Sequence, residues 1–127
     1  MIRDDIQEAA GSLQVCAGHE SGIEAAVHAM TTVFDDDDTE ALLMADASNA
    51  FNRLNREACL HNIQHLCPAM SAIVINTYRH PANLIVGGEV IRSREGTTQG
   101  DPIAMPLYAL GVLPLLRSVA TEGTVQA

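Results

Sequence analysis

The sequence predicts an α+β fold, on three observations. Apolar residues recur at helical spacing in several separated segments, one pair of β-rich segments flanks a Gly-Gly turn, and strands and helices do not strictly alternate. Residues 2–10 read as a short helix ended by Gly11. Ser21-Gly22-Ile23-Glu24 has the form of a capping box, with Ile23, Val27, Met30 and Phe34 following at helical spacing, which predicts a helix over about 22–33. The run Asp35-Asp36-Asp37-Asp38 stops it, because adjacent carboxylates repel one another and stay hydrated in a surface loop. Ala41-Leu42-Leu43-Met44-Ala45 has the length of a buried strand, although its composition would also suit a helix, and the polar loops that flank it favour the strand.

Asn55 can cap a helix over about 56–66, closed by Pro68, and Met70, Ile73, Val74, Thr77 and Tyr78 form the stripe of the next helix. Residues 83–86 and 89–92 flank Gly87-Gly88 as a hairpin. Asp101 is a good N-cap with Pro102 at the first helical position. That last helix runs toward Leu113, where Pro106, Gly111 and Pro114 are expected to bend or end it.

The 127 residues suffice for one domain, and 47% apolar with 18% charged residues excludes disorder. Aromatic residues are 3% with no Trp, which argues against a protein that stacks bases on rows of rings. The longest uncharged apolar run near the C-terminus, 103–116, is short for a bilayer and interrupted by Pro106 and Pro114, and the N-terminal residues have no apolar signal segment. A soluble intracellular protein, nuclear or cytoplasmic, with no membrane partner is therefore expected. Cys16, Cys59 and Cys67 have no CxxC spacing and read as buried, reduced thiols.

Charge is distributed unevenly. The net charge is −9, all seven basic residues are Arg, and up to Asn52 one Arg (Arg3) stands against eleven acids. A complete nucleic-acid-binding domain carries a basic surface to neutralise phosphates, and this chain lacks one.

Two stretches could carry chemistry. In LLMADASNAFN (42–52) an apolar strand would deliver Asp46 to its end, where a carboxylate can hold Mg²⁺ or simply cap the turn. In GTTQGDP (96–102) a glycine-flanked loop leads into a helix start, which lets backbone amides approach a phosphate or base, or is an ordinary connecting turn. The remaining candidates have plainer readings. His61 and His65 lie i,i+4 near Cys67, a zinc-like spacing without a fourth ligand, and read as surface histidines. His28 reads as structural, and the Asp35–Asp38 run lacks the ligand spacing of a calcium loop. Arg92 and Arg94 alternate on a strand and suit either a nucleic-acid backbone or an exposed face.

Together and in this order, ADASNAFNRLNR (45–56) and EGTTQGDPIAMPLYAL (95–110) resemble the palm of reverse transcriptases, especially those of non-LTR, LINE-like retrotransposons. LQVCAGHESGIEAAVHAM (13–30) is similar to the segment that precedes the palm in that family, so the resemblance spans roughly residues 2–116. It implies a single partial reverse transcriptase domain over 1–127. Residues to about 40 would be fingers-proximal helices, and 41–127 the first half of a polymerase palm, with an incomplete antiparallel sheet and packed helices.

The resemblance also implies roles. Asp46 matches the first catalytic aspartate, a ligand of two Mg²⁺ ions, and Ala47 the position whose carbonyl completes the nucleotide-bound metal site. Phe51 matches the aromatic steric gate beneath the deoxyribose. Gln99 and Gly100 match the loop that contacts the incoming nucleotide and templating base. RNA template, DNA primer and deoxynucleotides would be the partners of the complete enzyme. The family's second acidic motif, an aromatic–Ala–Asp–Asp turn, is not found after the helix containing Leu107–Leu113, nor are the basic finger motifs found upstream. A fragment inactive alone and prone to self-association is expected. The alternative is a degenerate, non-catalytic acidic module that binds a protein partner through its apolar helices.

Overall fold

The computed structural model describes residues 2–120. Its elements are α1 (Ile2–Ala10) with a following 3₁₀ turn (Gly11–Leu13), α2 (Gly22–Phe34), α3 (Ala50–Arg53), α4 (Arg56–Leu66), α5 (Pro68–Tyr78), β1 (Ala82–Val86), β2 (Glu89–Ser93) and α6 (Ala104–Ala120). The fold is α+β, with one two-stranded antiparallel sheet among the described residues.

The core is a helical cluster. α4 packs against both α5 and α6, and α1 closes it from the side of α5 and α6. Ile63 of α4, Val74 of α5, and Leu107, Leu110 and Leu113 of α6 are fully buried. Each such side chain contributes about 1.5–3 kcal/mol of transfer free energy. α4 and α6 approach so closely that a Cβ on Gly111 would overlap the Cys59 sulfur. The Asn55 side chain accepts the Ala58 N–H at 2.9 Å, the expected cap of α4. Pro68 sits in the first turn of α5, where its missing N–H costs nothing.

α6 runs through Pro114 to Ala120 instead of ending near Leu113. Pro114 cannot donate to the Leu110 carbonyl, but the side chains of buried Gln14 and half-buried Asn62 bond to the carbonyls on either side of it. The Gln14 amide donates to Ala109 O at 3.2 Å and the Asn62 amide to Gly111 O at 3.0 Å. The helix also begins later than the sequence suggests. Pro102 and Ile103 form a turn, the Asp101 carboxylate accepts the Ile103 N–H at 2.9 Å, and the first helical residue is Ala104.

The N-terminal region departs furthest from expectation. α2 has nearly its expected span, but Ser21 adopts left-handed φ 53° and makes no side-chain cap, so the capping box does not form. Most of the apolar stripe of α2 is in solvent: Ile23 is 66% exposed, Val27 59% and Phe34 63%, and only Met30 is half-buried. Residues 41–45 are not a strand. They run as an irregular exposed segment, because a strand needs a neighbour's N–H and C=O groups and none of the described residues supplies them. The hairpin does form, pairing Asn83 with Arg92, Leu84 with Ile91 and Ile85 with Val90, and projects from the core with nearly every residue exposed.

Candidate functional site

The two stretches singled out in the sequence meet. The Thr97 N–H donates to Phe51 O at 2.8 Å and the Gly96 N–H to Leu54 O at 2.9 Å, stitching the loop after β2 onto α3 and its C-terminal end. Contact this close requires glycine. Gly96 has φ +69°, and a Cβ there would stand 2.5 Å from the Asn52 carbonyl oxygen.

Arg56 fixes the loop from the other side. Its buried guanidinium donates to Ser93 O at 2.9 Å, Glu95 O and Gly96 O at 2.8 Å each, and Ser93 Oγ at 3.1 Å. It also lies 5.4 Å from the centroid of the Tyr78 ring. The Tyr78 hydroxyl in turn donates to Asp101 Oδ2 and accepts the Thr98 N–H at 3.3 Å. Burial, and then the bond to Asp101, push the Tyr78 phenol above its ordinary pKa, so it remains a donor well past neutral pH. One hydroxyl in this loop, Thr97 Oγ1, is buried without a partner. Leaving it unsatisfied costs about 1–3 kcal/mol.

Held in this way, the loop forms one wall of a cleft of about 150 Å³ lined by Phe51, Gln99, Gly100, Asp101, Ala104 and Met105. Phe51 is half-buried, its ring 5.2 Å from that of Tyr108 at 49°, so one face is held by the core while the residue still borders the cleft. Gln99 and Gly100 are exposed at the opening. The Asp101 carboxylate is committed to Tyr78 and the Ile103 N–H, which leaves the Gln99 amide and the Gly100 backbone as the free polar groups. A cleft this size is below the roughly 300–1,000 Å³ that encloses a whole small molecule. It suits one ring or sugar of a larger ligand.

Asp46 and Ala47 do not line this cleft. Both lie exposed in the irregular segment before α3, and the Asn49 carbonyl then caps α3 by accepting the Asn52 and Arg53 N–H groups at 3.1 Å each. Of the five site residues expected from sequence, Phe51, Gln99 and Gly100 therefore come together, and Asp46 and Ala47 stand apart. Among the described residues no group of three or more His, Cys, Asp and Glu is arranged to hold a metal ion. One exposed carboxylate and one carbonyl do not fit a site for two Mg²⁺ ions, which needs several carboxylates converging.

Most other candidates take their plainer readings, with His28 and Cys16 as exceptions. His61 and His65 are exposed with rings 4.6 Å apart, and His65 Nδ1 is bonded to the His61 carbonyl at 2.9 Å. His28 is exposed rather than structural, and Asp35–Asp38 are exposed, as are Arg92 and Arg94. The three cysteines are free, with Cys59 and Cys67 buried and Cys16 only half-buried. No helix among the described residues is long and apolar enough to cross a membrane.

The sequence reading missed Arg56 and Tyr78 as organisers of the loop. For Arg56 a signal existed: a cation in the first turn of a helix opposes the macrodipole, so it needs another reason to be there. Tyr78 gave none, since its place in an apolar stripe reads as core.

Compared with protein-family models, curated proteins and solved structures, the chain matches none.

Proposed function

We propose that this chain is part of an RNA-directed DNA polymerase of the non-LTR retrotransposon kind, comprising the end of the fingers and the first half of the palm. One observation carries the reading. The segments that resemble the family's first palm motif and its nucleotide loop are joined by backbone hydrogen bonds, and Phe51, Gln99 and Gly100 border one cleft. In that reading the cleft receives the sugar and base of an incoming deoxynucleotide. Phe51 forms the floor under the sugar, its ring occupying the volume a 2′-hydroxyl would need. Gln99 and Gly100 offer an amide and backbone groups to the nucleotide and the templating base, and the Arg56–Tyr78–Asp101 network keeps them in place.

Asp46 is the residue assigned to metal-dependent phosphoryl transfer, with Mg²⁺ as the cofactor and the Ala47 carbonyl beside it. Because the described residues do not make a two-ion site, the chain alone is inactive in this reading. Further carboxylates and the strands to pair with residues 41–45 are then supplied from beyond these 127 residues.

The test is primer extension on poly(rA)/oligo(dT) with Mg²⁺ or Mn²⁺. The 127-residue chain should incorporate nothing above a no-protein control. A complete polymerase carrying these residues should extend the primer, and Asp46→Asn should abolish extension there. Extension that survives Asp46→Asn would refute the assignment.

A second reading, a non-catalytic acidic module that binds a protein partner, is favoured by one specific observation: the exposed apolar stripe of α2.

A further inference from the structure

α2 is a helix without a visible means of support. It makes no extensive contact with any other element, and within it only Gly22 is buried. Its N-terminal end is held tightly, since a Cβ on Gly22 would overlap the Val15 carbonyl, but beyond it only Ala26 and Met30 are half-buried and the other residues of the helix are exposed. Isolated helices shorter than about 12–15 residues are marginal in water even when rich in alanine. α2 carries Ile23, Val27, Thr31, Thr32 and Val33, β-branched residues that lower helix propensity further. Its apolar stripe, Ile23, Val27 and Phe34 at helical spacing, is the surface whose burial would stabilise it.

The charges around that stripe define what can cover it. Glu20 and Glu24 flank its beginning, and Asp35–Asp38 and Glu40 follow its end. Between Arg3 and Arg53 the sequence has no Lys or Arg, and Arg3 is already 3.4 Å from Glu20. A second copy would bring the same acids against themselves, and the anionic surfaces of nucleic acids and acidic lipids would be repelled. An apolar stripe with acidic groups at both ends complements an apolar stripe with basic groups at both ends.

We propose that α2 is a docking surface for a separate polypeptide that presents a basic amphipathic helix, its apolar side on Ile23, Val27 and Phe34 and its Lys or Arg residues against the acids at the two ends. The proposal deepens the protein-binding reading and is independent of catalysis. Its test reads binding and not nucleotide incorporation, so the two can fail separately.

The experiment uses the ¹⁵N-labelled 127-residue chain titrated with a 14-residue peptide of alternating Leu and Lys turns (LKKLLKLLKKLLKL). A control peptide carries Glu at every Lys. Expected are saturable amide shifts confined to α2 and its flanking acids, weaker binding at high salt, and no binding of the control. Val27→Asp, at an exposed position that leaves the core intact, should raise Kd about tenfold or more, as loss of one buried valine contact implies. The proposal is overturned by absence of saturable binding, by shifts centred on the hairpin or the helical core, by equal binding of the Glu peptide, or by an unchanged Kd in Val27→Asp. It is also overturned if the free chain dimerises through α2 and Val27→Asp dissolves the dimer.

Discussion

Helices α2 and α5 both carry apolar residues at helical spacing and meet very different fates. In α5, Met70, Val74 and Tyr78 are buried against α4 and the neighbouring loop, while in α2 Ile23, Val27 and Phe34 face water and only Met30 of the stripe is half-buried. The same contrast holds for the two motif-bearing stretches. The 96–101 loop is tied down by Arg56, Tyr78 and two backbone bonds, whereas the segment leading to Asp46 has Leu43 at 93% and Met44 at 84% exposure. Periodicity states that a face is apolar; it does not state what will cover it. The described residues divide into a part that packs upon itself and a part whose apolar side chains are left exposed.

The largest effect that would sharpen this division is a pair of truncations. Leu110→Ala removes a fully buried side chain from the α4–α6 contact and should cost about 2–5 kcal/mol. Leu43→Ala, in the exposed segment, should change stability by no more than about 0.5 kcal/mol. Urea unfolding followed by circular dichroism measures both. Similar losses for the two would show that residues 41–45 pack on something and would remove the division.

A smaller effect distinguishes the packed part by pH. Burial pushes the Cys59 thiol up to about 11 from 9.0, and the Tyr78 phenol is likewise raised above 10.0 by burial and its bond to Asp101. A folded-state pKa above the unfolded one gives stability that is fully present below the unfolded value and lost as pH rises through the folded value. Thermal stability should therefore be insensitive to these groups at pH 7–8 and decline as pH rises from about 9 through 11. Cys59→Ala, which removes one of the two, should make that decline shallower. A decline of the same steepness in Cys59→Ala would mean that the thiol does not titrate in the fold.

Much of the fold was legible in the sequence because its signals are local. Asn55 caps α4, Gly87-Gly88 closes the hairpin in the expected register, and the 56–66 and 70–78 helices lie where their stripes put them. The errors lie where local signals depend on distant groups. Ser21 and Glu24 have the spacing of a capping box, but Gly22 is pressed against Val15 and Ser21 turns left-handed, away from capping geometry. Residues 41–45 have the length of a strand, though a composition that also suits a helix, and none of the described residues pairs with them. Pro114 is expected to bend or end α6, yet the helix runs through it, and Gln14 and Asn62, 95 and 49 residues away from their acceptors, bond to the carbonyls on either side of Leu110, whose own carbonyl Pro114 leaves without its helical donor. The candidate site divides in the same manner. Phe51, Gln99 and Gly100 could be chosen from sequence, whereas the Arg56–Tyr78–Asp101 network that positions them exists only once the hairpin brings Ser93–Gly96 against α4.

The central claim, that the cleft at Phe51 selects a nucleotide sugar, is tested most directly in a complete polymerase carrying these residues. The measurement is the ratio of kcat/KM for a deoxynucleotide to that for its matching ribonucleotide, in the parent and in Phe51→Val. If the ring excludes the 2′-hydroxyl by occupying its volume, the ratio should fall by about tenfold or more, since a clash worth about 1.4 kcal/mol changes a rate ratio tenfold. If Phe51 serves only to pack against Tyr108, the substitution should lower Tm and depress both substrates alike. An unchanged ratio with a reduced Tm would contradict the account and return Phe51 to the core.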